Sequence, residues 1–157
     1  MEKYSVILCL FLCFTCTDFA QAQKGAYVNW IYNAEPISDR EALITITADV
    51  LPGWHLYSQH LKQGGPQPTK FTFDSSDSYT LTGTTNENGK AYKYYDDIYE
   101  MEIVWYSGTV TFTNKIILTQ PITAIKGTVE YMTCNDHTCV QDKREFTIDV
   151  DLSKQNP

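Results

Sequence analysis

Positive charge is scarce in this sequence. Its 12 Lys and Arg are outnumbered by 19 Asp and Glu, a formal net charge of −7, and no basic patch breaks the acidic balance. Nucleic acid and anionic membrane surfaces are therefore poor partners, and the acidity mainly favours solubility. No helical stripe of useful length is present, nor any internal repeat. After residue 22 there is no long apolar run, so no later segment has the roughly 20 apolar residues that span a bilayer. No motif calls for a cofactor. Cysteine is sparse as well: of the five present, Cys9, Cys13 and Cys16 crowd into the N-terminal segment.

That segment reads as a leader. Lys3 precedes an apolar run from Val6 to about Cys16, followed by the small-x-small site Ala20-Gln21-Ala22. This pattern predicts a signal peptide over residues 1–22, cleaved after Ala22, and a single domain over 23–157 in the periplasm or outside the cell. Lipid anchoring is the weaker alternative. Cys13 follows the large Leu12, and Cys16 follows Thr15 with Cys13, not Leu, three positions before it.

Cleavage leaves only Cys134 and Cys139, in a compartment where disulfides persist. An even count in an exported domain suggests a structural bridge. A domain of this length, however, buries an adequate core without one.

Period-2 alternation dominates the rest. Strands are predicted over 26–32, 41–50, 54–58, 69–73, 79–82, 102–106, 109–118, 127–133 and 144–150, rich in Thr, Val, Ile and Tyr. Pro52-Gly53, Gly64-Gly65-Pro66, Asn86-Glu-Asn-Gly89 and Ser107-Gly108 supply turns. Tyr106-Ser107-Gly108-Thr109 reads as a tight hairpin, and the polar, tyrosine-rich stretch 86–99 as a long functional loop. Eight or nine short strands at this spacing predict an all-β, immunoglobulin-like β-sandwich.

Cys134 and Cys139 end up at the tip of a predicted hairpin, with the turn-forming Asn135, Asp136, His137 and Thr138 between them. Facing positions in antiparallel strands suit a disulfide. If Val129, Tyr131 and Thr133 face the core, alternation points Cys134 outward, within reach of a partner thiol. A bond here closes a very small loop and adds only about 2 kcal/mol by chain entropy, which favours reactivity over stability as its purpose. An imidazolium at His137 would favour the attacking thiolate, and Asp136 would oppose it. Three readings stay open on spacing alone: a redox pair, an inert staple in a secreted binding module, and a zinc site using Cys134, His137 and Cys139, which has no evident fourth ligand.

The run Gly127-Thr-Val-Glu-Tyr-Met-Thr-Cys-Asn-Asp-His-Thr-Cys139 resembles the N-terminal periplasmic domain of the thiol:disulfide interchange protein DsbD. Leu51-Pro-Gly-Trp-His-Leu-Tyr-Ser58 and Tyr94-Tyr-Asp-Asp-Ile-Tyr-Glu-Met-Glu102 are similar to two further segments of that family, in the same order. The resemblance implies an immunoglobulin-like fold and two cysteines that cycle between dithiol and disulfide. It implies electrons taken from a thioredoxin-like or membrane redox partner and passed to periplasmic oxidoreductases. Cys139 would be the nucleophile and Cys134 the resolving residue. Tyr57 and His55 would lie beside them, and Asp96, Asp97, Ile98 and Tyr99 would belong to an aromatic cap over the pair. His55, Tyr57 and Asp96 would tune a thiol or shuttle a proton; their ordinary reading is sheet packing and solvated loop charge. Trp30, Trp54 and Trp105 read as core or sheet-face residues. Two features depart from the family pattern. Val140-Gln141-Asp142 stands where prolines are common. The chain also lacks the family's membrane-embedded and thioredoxin-like domains, so a free-standing version would be expected to borrow electrons from another protein or to do something else.

Overall fold

The computed structural model describes residues 27–154; the predicted leader lies outside them. Eight strands follow one another: β1 (Val28–Ser38), β2 (Glu41–Val50), β3 (His55–Tyr57), β4 (Lys70–Phe73), β5 (Tyr79–Asp96), β6 (Met101–Leu118), β7 (Ile122–Cys134) and β8 (Cys139–Asp151). A 3₁₀ turn, Leu152–Lys154, ends the described chain.

The alternation explains the layers. On β2, Ala42, Ile44, Ile46, Ala48 and Val50 are all buried while the residues between them are half-exposed. The β1–β2–β6–β5 neighbours form one half of the structure, and β4–β7–β8 the other. Side chains from the two halves meet ring to ring: Trp30 on Tyr131 at 5.1 Å, Tyr32 on Phe146 at 5.3 Å, and Phe71 on Phe112 at 4.8 Å. Ile44, Ile46, Phe112, Ile116, Ile125, Val129 and Ile148 fill the space between. The result is an all-β, immunoglobulin-like sandwich made from one curled sheet.

Short β3 closes the curl. It pairs with β6 (Leu56↔Tyr106, Tyr57↔Trp105) and with β7 (His55↔Cys134, Leu56↔Thr133). Leu56 points into the main core. His55 and Tyr57, one residue either side, therefore lie on the opposite face.

Two sequence expectations need correction. Ser107-Gly108 is not a hairpin: residues 102–106 and 109–118 belong to the single strand β6. Gly108 has φ 71°, and opposite it the β5–β6 register shifts between Gly89 and Ala91. A glycine at positive φ bends the strand there without ending it, because β5 continues alongside. Nor is 86–99 a long loop. Residues up to Asp96 continue β5, pairing Tyr92 with Trp105 and Tyr94 with Ile103, and only residues 97–100 form the turn. The polar composition reflects an outer strand, not an irregular segment.

Candidate redox site

A disulfide joins Cys134 and Cys139, whose Cα atoms are 4.0 Å apart. The two residues face each other as the last β7–β8 pair. Asn135 builds the intervening turn: its N–H donates to Thr138 O, and its Oδ1 accepts from the N–H groups of His137 and Thr138. The short polar side chain thus replaces the ladder at the tip.

The two cysteines sit in unlike surroundings. Cys139 is exposed, whereas Cys134 is 2% exposed. Cys134 does lie on the face away from the main core, as alternation along the strand predicts. Its expected accessibility is wrong. A second apolar cluster covers that face: Tyr57 and Ile103 are buried with Cys134, and Leu61, Met101, Trp105 and Met132 pack around them. The exposed cysteine is Cys139, the one that begins β8.

Tyr57 Oη donates to Cys134 Sγ at 3.4 Å, and His55 Nε2 lies 3.3 Å from the same Oη. The phenol has one proton. With that proton on sulfur, Tyr57 Oη accepts from His55, so Nε2 carries the imidazole hydrogen. Burial pushes the Tyr57 phenol up to about 12, with Tyr94, Tyr99 and Asp96 adding to the effect. The phenol therefore stays protonated, and a donor, at any ordinary pH. Burial also lowers the His55 pKa, partly offset by Asp136. On its outer side His55 meets Trp105 at 4.7 Å, and Trp105 is stacked on Tyr92 at 4.4 Å.

The β5–β6 hairpin end lies beside this group, as the electrostatic reach of Tyr94, Asp96 and Tyr99 to Tyr57 indicates. Asp96 Oδ1 accepts from the N–H groups of Ile98 and Tyr99 and fixes the turn. Tyr94, Tyr95, Ile98 and Tyr99 leave much of their apolar surface in solvent, Ile98 most of all at 89%. Of the residues singled out in the sequence, His55, Tyr57, Cys134 and Cys139 come together, with Asp96 and Tyr99 close by. Asp97, Ile98 and His137 are exposed on the two turns.

Met101, Ile103, Trp105, Tyr92, Tyr94 and Met132 escaped the sequence reading as members of this site. The signal was the unbroken run Ile103-Val104-Trp105-Tyr106, which marks a strand covered on both faces. Among the described residues no cluster of His, Cys, Asp or Glu could hold a metal ion, and no helix is long and apolar enough to cross a membrane.

A β-sandwich with a disulfide at a hairpin tip, one cysteine exposed and the other lodged under a hydrogen-bonded tyrosine, defines an immunoglobulin-like disulfide-bearing domain. The family follows from comparison. The family model described as "Thiol:disulfide interchange protein DsbD, N-terminal" matches residues 27–150, and the chain belongs to that family. Among solved structures, the N-terminal periplasmic domain of ScsB from Proteus mirabilis is similar at TM-score 0.58 and 14% identity, covering 83% of this chain and 49% of that one. The chain thus spans about half the length of that domain. The DsbD N-terminal domain of Neisseria meningitidis, in the reduced form, is similar at TM-score 0.46 and 12% identity, covering 78% of this chain and 84% of that one. These likenesses concern the fold. No curated protein matches the chain.

Proposed function

We propose that this domain carries electron pairs by thiol–disulfide exchange in the periplasm, with Cys139 as the attacking sulfur and Cys134 as the resolving one. The observation that supports this reading is the unequal exposure of the two cysteines. In the reduced domain, the Cys139 thiolate attacks one sulfur of a partner disulfide and expels the other as a thiolate. A mixed disulfide results. The Cys134 thiolate then attacks Cys139 Sγ, re-forms the internal bond and releases the partner as a dithiol. Two electrons have passed to the partner. A thioredoxin-like protein or a membrane electron carrier restores the dithiol by the reverse sequence. The acceptors are periplasmic disulfide oxidoreductases, and the exposed Tyr94, Tyr95, Ile98 and Tyr99 are the surface on which either partner docks. Export through the 1–22 leader places the domain where such partners act.

Trapping tests the assignment. A Cys134→Ser variant keeps the exposed nucleophile and loses the resolving thiol. It is expected to accumulate a mixed disulfide through Cys139 with a periplasmic oxidoreductase, detected on non-reducing gels and by mass spectrometry. Cys139→Ser is expected to trap far less. Absence of a trapped species in both variants would remove the mechanism. A reduction potential below about −300 mV would instead identify an inert structural bond in a secreted binding module.

A further inference from the structure

Glu87 is a β5 residue remote in sequence from both cysteines, yet its side chain is only 6% exposed. Three donors converge on its carboxylate. Ser58 Oγ and Tyr106 Oη donate to Oε1, the latter at 2.9 Å, and Gln59 N–H donates to Oε2 at 3.0 Å. His60 Nε2 stands 3.9 Å from Oε1. A buried carboxylate is costly unless such bonds replace its water. Here they fasten the residues that directly follow β3 to the β5–β6 part of the sheet. β3 itself is three residues long and pairs through Leu56 and Tyr57 on one side and His55 and Leu56 on the other. Beyond those pairs, Ser58 N–H donates to Val104 O and Thr69 Oγ1 to Tyr57 O; the Glu87 carboxylate adds the side-chain anchor at the end of this short strand.

We propose that Glu87 is a positioning residue for the disulfide: by anchoring Ser58 and Gln59 it keeps the adjacent Tyr57 hydroxyl on Cys134 Sγ. The redox consequence rests on the exchange reading above; the geometric claim does not. A phenol donates more strongly to a thiolate than to a disulfide sulfur. Holding Tyr57 in place therefore favours the reduced state, and loosening it makes the disulfide harder to reduce.

Glu87→Gln tests this. The variant keeps the size and one acceptor oxygen, but its NH2 group stands where the other oxygen was and faces at least one of the three donors. In the oxidised protein, NMR titration of the Tyr57 ring is expected to fall from about 12 toward the ordinary tyrosine value of about 10. In equilibrium with dithiothreitol the variant is expected to favour the disulfide about fivefold more than the parent, the worth of one ordinary hydrogen bond. In a Tyr57→Phe background Glu87→Gln should add nothing, since its effect passes through that hydroxyl. Val150→Ala, a buried β8 change, serves as the control for lost stability and should move neither readout. If Glu87→Gln fails to fold, Ser58→Ala removes the bond from Ser58 Oγ to Glu87, together with the one Oγ accepts from His60 N–H, and is read the same way.

An unmoved Tyr57 titration and an unmoved equilibrium in a folded variant overturn the proposal. So does an equal shift with and without the Tyr57 hydroxyl. If the parent disulfide resists every thioredoxin-type reductant, the exchange reading fails, while the Tyr57 titration still decides whether Glu87 positions the strand.

Discussion

His55 and Tyr57 show what a change of one residue's surroundings does to its chemistry. Both lie on the face away from the main core, and both are drawn toward neutrality by burial. For His55 the sign of the pH effect follows directly. Its folded-state pKa lies below the ordinary 6.5, so the unfolded chain takes up the proton first as pH falls. The stability linked to the neutral imidazole is complete above about 6.5 and is lost as pH drops through the lowered folded value. Melting temperatures followed from pH 7.5 to 4.5 should therefore decline more steeply in the parent than in His55→Phe, which has nothing to protonate there. Parallel declines in the two proteins would mean that His55 is no more buried than in a free peptide. Asp136 opposes the shift, so Asp136→Asn should steepen the acid limb of the parent.

At the scale of elements, the close approach of β4 to β7 is the most demanding contact. A Cβ built on Gly127 would sit 2.4 Å from Thr72 O and 2.6 Å from Phe146 Cζ. The first is backbone and cannot swing aside, so Gly127→Ala must push β4 outward or break the Phe73↔Gly127 pairing. A loss of about 1–3 kcal/mol is expected, the usual cost of overfilling a packed site, measured by chemical denaturation. A neutral result would mean that β4 rides loosely on the sheet. The elements also differ in how plainly the sequence announced them. β2 reads off in full as Glu41–Val50, because one face is apolar and the other polar along its whole length. The cysteine hairpin reads off for the same reason, together with its turn residues. β6 was split in two because Gly108 carries a local turn signal, whereas continuity is decided by β5 and β2 alongside it. The burial of Cys134 was illegible in its own neighbourhood. Its cover comes from Tyr57 on β3 and Ile103 on β6, tens of residues away, and no local period encodes a non-local lid. Glu87 was hidden similarly: an isolated acidic residue in a polar stretch gives no sign that three donors will close on it.

For the molecule as a whole, the question is how far the fold depends on the bond it carries. The cysteines are five positions apart, and closing so small a loop restrains the unfolded chain by only about 2 kcal/mol. The main core lies elsewhere, between Ile44, Ile46, Phe112 and Ile116 on one half and Ile125, Val129 and Ile148 on the other. Cys134 belongs to the smaller cluster on the opposite face. The two redox states should therefore share one fold. A Cys134→Ser/Cys139→Ser double variant is expected to unfold cooperatively, with a melting temperature lower by about 4–8 °C, which is what about 2 kcal/mol amounts to at this size. Phe112→Ala, which empties part of the main core, should cost more, about 3–5 kcal/mol. Calorimetry of the two variants side by side orders these effects. The order matters to the proposed function: an electron carrier must survive each loss of its disulfide and offer the same surface to its next partner. If the double variant unfolded broadly, without a cooperative transition, the bond would be holding the sandwich together, and a domain that falls apart on reduction cannot hand electrons on.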